Sequence, residues 1–380
     1  MTLISGYKLK DGGFLQADIL LTSPNKGIRS SQIPSFKPEA GNLGLSTHAV
    51  AGLCQKILVV NEHFAVAFAG DVPAIQGIVR LIEKLEDEHE LLTGKCFTDA
   101  VLADEAISSS EVQIIALSVE GGEIHIASVY ADYGDGNEHF ELWVGGSGAD
   151  HAIAHYQSYP VRMFDVCEEE IVVQGTCMAL DQFAMHLKNE FEEKFKSESI
   201  SKLFGGGYEV VAFYDGRFRK ISDIVYAFAD AKFNTKGVLE IDCPRCLIKS
   251  EYAGADLKIR SVELEFDEEI DEWVSVNDRT FTIAPISRYH ETKVEESACD
   301  LSFMGVFLCF LISIKSEGAD VTIPVIRRYK SKTHFLYEAF TATVHPDFVS
   351  VTYSDRFHDD IAINVLGLSR EKKQFSFSND

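Results

Sequence analysis

A threonine stands at position 2, directly behind the initiator methionine. With Met1 removed, Thr2 carries a hydroxyl and a free α-amine on one residue. An α-amine has a pKa of ~7.7–8.0, low enough to accept a proton near neutral pH. A threonine hydroxyl alone is a weak nucleophile, and an adjacent amine is one recognised way to activate it. The chemistry this pairing points to is attack on an amide carbonyl, with the residue's own amine as base. Further along, Lys10-Asp11-Gly12-Gly13 is a turn signal between two short apolar runs. The chain goes out, turns and returns, which brings Asp18 back towards Thr2. A carboxylate there is placed to hold a nearby lysine ammonium and keep the site electrostatically poised.

The run from Thr2 to Asp18 has the pattern T-x-I-x-G-x-x-x-K-D-G-x-x-L-x-A-D. Without a gap, it resembles the opening of proteasome β-type subunits, the threonine peptidases of the N-terminal-nucleophile hydrolase class. A second stretch, Lys56 to Gly70, resembles that family's strand pair between its catalytic lysine and its oxyanion-hole glycine, and the spacing of fourteen fits. A third, Gly146-Ser147-Gly148, resembles the family's G-S-G element, whose serine supports the N-terminal threonine. It is not a nucleophile elbow, because Ala149 stands at the second glycine position of G-x-S-x-G. Gly205-Gly206-Gly207 resembles the glycine pair after the family's long helix. Many members carry an aspartate just before that pair; Ser201-Lys202-Leu203-Phe204 stands here instead.

The resemblance runs from Thr2 to about residue 222 and implies roles for five residues. Thr2 is the nucleophile. Lys56, paired with Asp18, lowers the pKa of the nucleophilic centre by its positive charge. The Gly70 backbone N–H stabilises the oxyanion, and Ser147 supports Thr2. No metal or organic cofactor is implied. The fold implied is α+β: a four-layer αββα sandwich over residues 2–222, followed by a β-rich domain of unrecognised family over 223–380. The partners implied are a peptide or polypeptide substrate and further copies of the chain, as a homo-oligomer of unknown order.

The residues around these motifs give expectations of their own. Gln55 and Lys56 are neighbours that face opposite ways on a strand, so only one can point at Thr2. The glycine spacing favours Lys56. Residues 57–69 alternate or run apolar, as buried strands do. Gly70 ends that run, and Asp71 and Pro73 suit the cap and first turn of a helix carrying Ile75, Ile78, Val79, Ile82 and Leu85. A glycine before a helix start can aim its N–H at a developing oxyanion, or merely allow a tight turn. The oxyanion role is favoured by the lysine upstream.

A short helix is expected over Phe97–Ile107. Strands are expected over Val112–Ser118, Glu123–Tyr130, Phe140–Val144 and Tyr208–Tyr214. A long helix is expected with Val173, Cys177, Leu180, Ala184, Leu187, Phe191 and Phe195 as one core stripe. Ser23 to Leu53 reads as an extended loop, placed near the substrate cleft by the resemblance. Past residue 223, Leu257–Phe266, Val321–Tyr329, Phe340–Val344 and Phe348–Tyr353 read as strands. This second domain is expected to gate or recruit substrate, so deleting it from about residue 226 should leave Thr2 reactive.

Composition narrows the classes. The chain has 380 residues, 46% of them hydrophobic, which suits two packed domains. A net charge of −24 argues against nucleic acid and against an anionic membrane surface. Eight scattered cysteines and the lack of a signal-peptide pattern favour a cytoplasmic protein that needs only methionine removal. The longest apolar run, Phe303–Ile314, is too short for a membrane span. Cys243 and Cys246 form a single C-x-x-C, with His290 and Cys299 beyond it. Ordinary thiols are favoured over zinc or redox chemistry, because the spacing matches no common zinc pattern. The acids from Glu263 to Glu272 read as the solvated face of a strand. Cys54 reads as a buried structural thiol.

The activity expected is therefore amide-bond hydrolysis by an N-terminal threonine. The alternatives are an inactive scaffold of the same fold and an amidohydrolase of small amides.

Overall fold

The computed structural model describes residues 2–24, 32–37, 48–236, 238–296, 302–314, 321–345 and 348–376. The chain forms a mixed α/β structure in two compact units. The first comprises Met1–Ser222 together with Tyr252–Ile259 and Phe281–Val294; the second comprises Asp223–Glu251, Arg260–Thr280 and Glu295–Asp380.

In the first unit, β1 (Ile4–Leu9) and β2 (Gly12–Asp18) form the hairpin that the Lys10–Asp11 turn demands. Then come β3 (Leu20–Ser23), β4 (Ala49–Leu53), β5 (Ile57–Asn61), β6 (Phe64–Ala69), α1 (Val72–Glu88), α2 (Gly94–Ala103) and α3 (Glu105–Ser108). They are followed by β7 (Gln113–Glu120), β8 (Glu123–Val129), β9 (Asp132–Asn137), β10 (Phe140–Gly145), α4 (Ala149–Gln157), α5 (Ile171–Glu193), α6 (Glu198–Ser201), β11 (Tyr208–Tyr214) and β12 (Arg217–Lys220). One six-stranded sheet has the order β12-β11-β2-β1-β10-β9, and a four-stranded sheet has the order β5-β6-β7-β8.

The two sheets share a core. Ile4, Leu15, Ala17 and Val211 of one pack with Ile57, Ala65, Ala67, Ile115 and Leu117 of the other. The intervening residues of β6, Phe64, Val66 and Phe68, face the opposite way into a second core with Ile75, Ile78, Val79, Ile82 and Phe97. A strand buried on both faces loses its polar alternation, which is why Phe64–Ala69 reads as continuously apolar. On the far side of the six-stranded sheet, Tyr7 stacks on Phe14 and donates to the Gly175 carbonyl of α5 at 2.8 Å.

α1 begins as its sequence demands: Asp71 accepts from the Ala74 N–H, and all five stripe residues are buried. Other expectations need correction. The helix over Phe97–Ile107 is two helices, because Asp104 accepts from the Ala106 and Ile107 N–H groups and starts a new one. The α5 stripe is rotated. Leu180, Ala184 and Leu187 are buried, but Val173, Cys177, Phe191 and Phe195 are only half-buried. Gln182 and Glu190 are buried in their place, held by hydrogen bonds that a hydrophobic pattern cannot register. The strand β9 (Asp132–Asn137) has no propensity signal; it pairs with β10, and Tyr133 packs edge-on against Trp143. Part of the Ser23–Leu53 loop lies outside the described residues; at its ends β3 and β4 pair with each other.

The second unit is β-rich. Its strands are β13 (Ile224–Phe233), β14 (Leu239–Ile241), β15 (Cys246–Ala253), β16 (Asp256–Asp267), β17 (Glu272–Ile283), β18 (Lys293–Glu296), β19 (Ser302–Phe303), β20 (Phe307–Ile314), β21 (Val321–Arg328), β22 (Phe340–Val344) and β23 (Val349–Tyr353). Ends of β15 to β18 fall in the first unit. β20, next to the β21 edge, is buried at every position, parallel to β13 and antiparallel to β21. Two helices absent from the sequence reading, α7 (Lys332–Glu338) and α8 (Asp355–Ser376), complete it. Phe357, Ile361 and Val365 of α8 enter the core at four-residue steps. On the acidic run, Val262 and Leu264 point inward, while Phe266 is exposed.

Among the described residues no group of three or more His, Cys, Asp or Glu side chains is gathered to hold a metal ion. Cys243 and Cys246 are free thiols, and Cys299 lies outside the described residues. Among the described residues no helix is long and apolar enough to cross a membrane.

Candidate active site

Thr2 leads into β1, and Asp18 closes β2 beside it. The hairpin register pairs Ile4 with Ala17, and the Leu3 and Asp18 backbones continue the ladder: the Asp18 N–H donates to the Leu3 carbonyl at 3.1 Å. Asp18 is fully buried. Its Oδ1 accepts from the Leu3 N–H at 2.9 Å, and its Oδ2 accepts from the Leu20 and Gly205 N–H groups at 3.0 and 2.9 Å. The same Oδ1 accepts from Lys56 Nζ at 2.8 Å. Four donors around one carboxylate hold it immobile.

Lys56 is also buried. A lysine ammonium has three protons to donate. Here they serve Asp18 Oδ1, the Leu20 carbonyl at 2.7 Å and Thr2 Oγ1 at 2.8 Å. An ammonium that donates to Oγ1 is placed to stabilise negative charge on that oxygen and has no lone pair with which to take the hydroxyl proton. Gln55, in the link between β4 and β5, faces the other way: its side-chain nitrogen donates to the Ala255 and Ile283 carbonyls, each at 2.8 Å. Cys54 is buried, and burial pushes its thiol up to about 12, so it stays protonated.

The glycine-rich turn after β10 wraps the other end of Thr2. The Gly148 N–H donates to the Thr2 carbonyl at 3.1 Å, and Ser147 Oγ reaches the same oxygen at 3.5 Å. Ser147 is therefore next to the Thr2 backbone and only at the limit of bonding distance. Gly146 has φ +82, and a Cβ there would lie 2.0 Å from the Thr2 carbonyl oxygen, so only glycine fits. Gly70 ends β6 at φ +130, where a Cβ would meet the Glu111 carbonyl at 2.2 Å.

Gly70 sits on the rim between two hollows. One, of about 490 Å³, contains Thr2, Lys56, Thr22, His48, Ile286 and Tyr289 in its walls; the other, of about 500 Å³, is lined by Ser110, Gln113, Tyr130, Gly146 and Ser147. Thus Lys56 touches both Thr2 and Asp18, Gly70 lines both hollows, and Ser147 lines the second one.

Several contributors have no counterpart in the sequence reading. Ile286 and Tyr289 come from the Phe281–Val294 segment, where no motif announces them. Glu190 of α5 accepts from the Gly206 N–H at 3.0 Å, next to the Gly205–Asp18 bond, and so secures the turn after Ser201-Lys202-Leu203-Phe204. Glu209 accepts from the backbone N–H groups of Lys56 and Ile57. A signal for Glu209 did exist: a lone carboxylate in the apolar run Tyr208–Tyr214 must have a buried partner.

No protein-family profile matches the chain, and neither does any curated protein. Among solved structures, the chain is similar to a mutant of Anbu from Hyphomicrobium sp. strain MC1, at 16% identity, over 58% of this chain and 85% of that one, with a TM-score of 0.37.

Proposed function

We propose that this chain is a threonine-type amide hydrolase built on a four-layer αββα sandwich, acting on peptide or polypeptide substrates. The observation that carries the reading is Lys56 Nζ, 2.8 Å from both Thr2 Oγ1 and Asp18 Oδ1 in a buried site. Once Met1 is removed, Thr2 Oγ1 attacks the amide carbonyl while the Thr2 amine takes its proton. Lys56 stabilises the developing alkoxide, and Asp18 keeps the ammonium aimed at it. The tetrahedral oxyanion forms toward the Gly70 N–H, an interaction typically worth ~3–4 kcal/mol. Collapse breaks the C–N bond, and the Thr2 ammonium returns its proton to the leaving amine. Water then hydrolyses the Thr2 ester by the same route, with the amine again as base. Ser147, beside the Thr2 carbonyl, helps hold the residue in place.

The test is an intact mass of the purified protein, followed by treatment with a peptide epoxyketone, which needs both the hydroxyl and the amine of one residue to form its ring adduct. A chain lacking Met1 should gain one equivalent of probe at Thr2. Retention of Met1 together with no labelling would rule out the hydrolase and leave a scaffold.

A further inference from the structure

Lys56 is the last residue of the three-residue link between β4 and β5, and β5 is the edge strand of its sheet. An edge strand has backbone N–H groups that no neighbouring strand of its own sheet satisfies. At Lys56 and Ile57 these groups turn towards β11 of the other sheet, where Glu209 receives both with Oε1, the Ile57 bond at 2.8 Å. The Lys56 carbonyl is held on its other side by the Phe68 N–H at 3.0 Å. Glu209 Oε2 in turn accepts from Lys220 Nζ at 2.9 Å and from the Tyr252 hydroxyl at 3.3 Å. Lys220 also donates to the Gln55 side-chain oxygen and lies over the Tyr252 ring. Gln55 itself is pinned along its backbone: its N–H donates to the Ala284 carbonyl at 3.0 Å, and its carbonyl accepts from the Ile286 N–H at 3.1 Å.

We propose that Glu209 is a positioning residue for the threonine site: its buried carboxylate fixes the Lys56 backbone, and so fixes where the lysine ammonium meets Thr2 Oγ1. This rests on the threonine-hydrolase reading above. A lysine has four rotatable side-chain bonds, and its ammonium can hold a 2.8 Å contact with Oγ1 only if its Cα is fixed. Asp18 and the Leu20 carbonyl direct the tip; Glu209 fixes the base. The Lys220 ammonium and the Tyr252 hydroxyl meet Oε2 of this buried carboxylate, which leaves Oε1 to the Lys56 and Ile57 amides. Lys220 balances the Glu209 charge, while the Lys56 ammonium meets Oγ1 and Asp18.

The experiment compares the full chain, with Met1 removal verified by mass, as wild type, Glu209→Ala and Glu209→Gln. Each is labelled with a peptide epoxyketone over a range of concentrations, which yields the maximal rate constant, the half-saturating concentration and the fraction labelled. Glu209→Ala is expected to lower the maximal rate constant by about tenfold to a hundredfold, with the half-saturating concentration unchanged. Glu209→Gln keeps an oxygen facing the two amides and is expected to recover most of that loss. A role in folding alone gives a different result: a smaller labelled fraction reacting at the wild-type rate constant, which would overturn the proposal. If Glu209→Ala does not fold, Glu209→Asp replaces it. Its carboxylate is set back by one methylene, so about tenfold slower labelling is expected, and a wild-type rate constant overturns the proposal. A wild type that lacks Met1 and still is not labelled sinks the hydrolase reading, and this one with it. A labelled wild type with equally fast variants sinks only the role of Glu209.

Discussion

At Thr2, one oxygen carries the proposed chemistry, so truncation there separates catalysis from folding. Thr2→Ala keeps a small residue that permits methionine removal and is expected to abolish turnover with little change in unfolding midpoint. Thr2→Ser should keep part of the activity, because hydroxyl and amine remain. Lys56→Ala should be nearly as damaging in peptide-hydrolysis assays, since groups that act as a unit lose function together. It differs in stability, because it strands a buried carboxylate that had an ion-pair partner at 2.8 Å. Breaking such a pair costs about 3–5 kcal/mol, measurable by urea unfolding. Gln55→Ala should show the reverse profile. It leaves the Ala255 and Ile283 carbonyls without their donor, at about 1–3 kcal/mol, and touches neither Thr2 nor Lys56. A Thr2→Ala protein that cleaves peptide at the wild-type rate would end the mechanism.

At the scale of elements, α5 acts on the site through Glu190. This carboxyl is wholly buried and accepts from Ser199 Oγ, the Gly206 N–H and the Tyr208 hydroxyl. Burial nevertheless dominates and pushes it up to about 7. Between the ordinary carboxylate range and about 7, the folded chain holds a proton that the unfolded chain has released. The stabilisation is therefore complete in acid, falls as pH rises, and is gone above about 7. Urea unfolding of wild type and Glu190→Gln from pH 4.5 to 8 should show the wild type losing on the order of 2–3 kcal/mol relative to the variant over that window. A difference that does not change with pH would assign Glu190 no such shift. The segment around Ile286 and Tyr289 acts on the cleft wall instead. Tyr289→Ala is expected to shift preference toward a bulkier apolar side chain beside the scissile bond, by severalfold in kcat/KM. Substrate profiling with peptides varied at that position reads it directly.

At the scale of the whole molecule, the first unit is not a simple N-terminal half. It includes Tyr252–Ile259 and Phe281–Val294, which hold Gln55 and line the cleft. Deleting the chain from residue 226 removes both segments along with the second unit. The expectation that such a truncation leaves Thr2 reactive is therefore replaced by its opposite. The truncated chain should unfold at a lower temperature and react with the epoxyketone far more slowly than the full chain. Circular dichroism and intact mass measure the two effects. Truncation before α8 spares both segments and is the comparison that isolates them.

The features legible in the sequence are those whose cause lies within a few residues. The Lys10–Asp11 turn sets the β1–β2 register, and that register alone returns Asp18 to Thr2. Asp71 and Pro73 start α1, and the apolar run with its terminal Gly70 marks β5 and β6. Side-chain alternation already left Gln55 and Lys56 on opposite faces. The spacing to Gly70 pointed to Lys56 as the one that meets Thr2, whereas the carbonyls that hold Gln55, 200 and 228 residues away, were a tertiary matter. The partners of Glu209, the cleft wall at Ile286 and Tyr289, and the buried Glu190 were likewise set by packing. Burying a polar group demands a partner but does not name it, and only the folded chain brings that partner within hydrogen-bond reach.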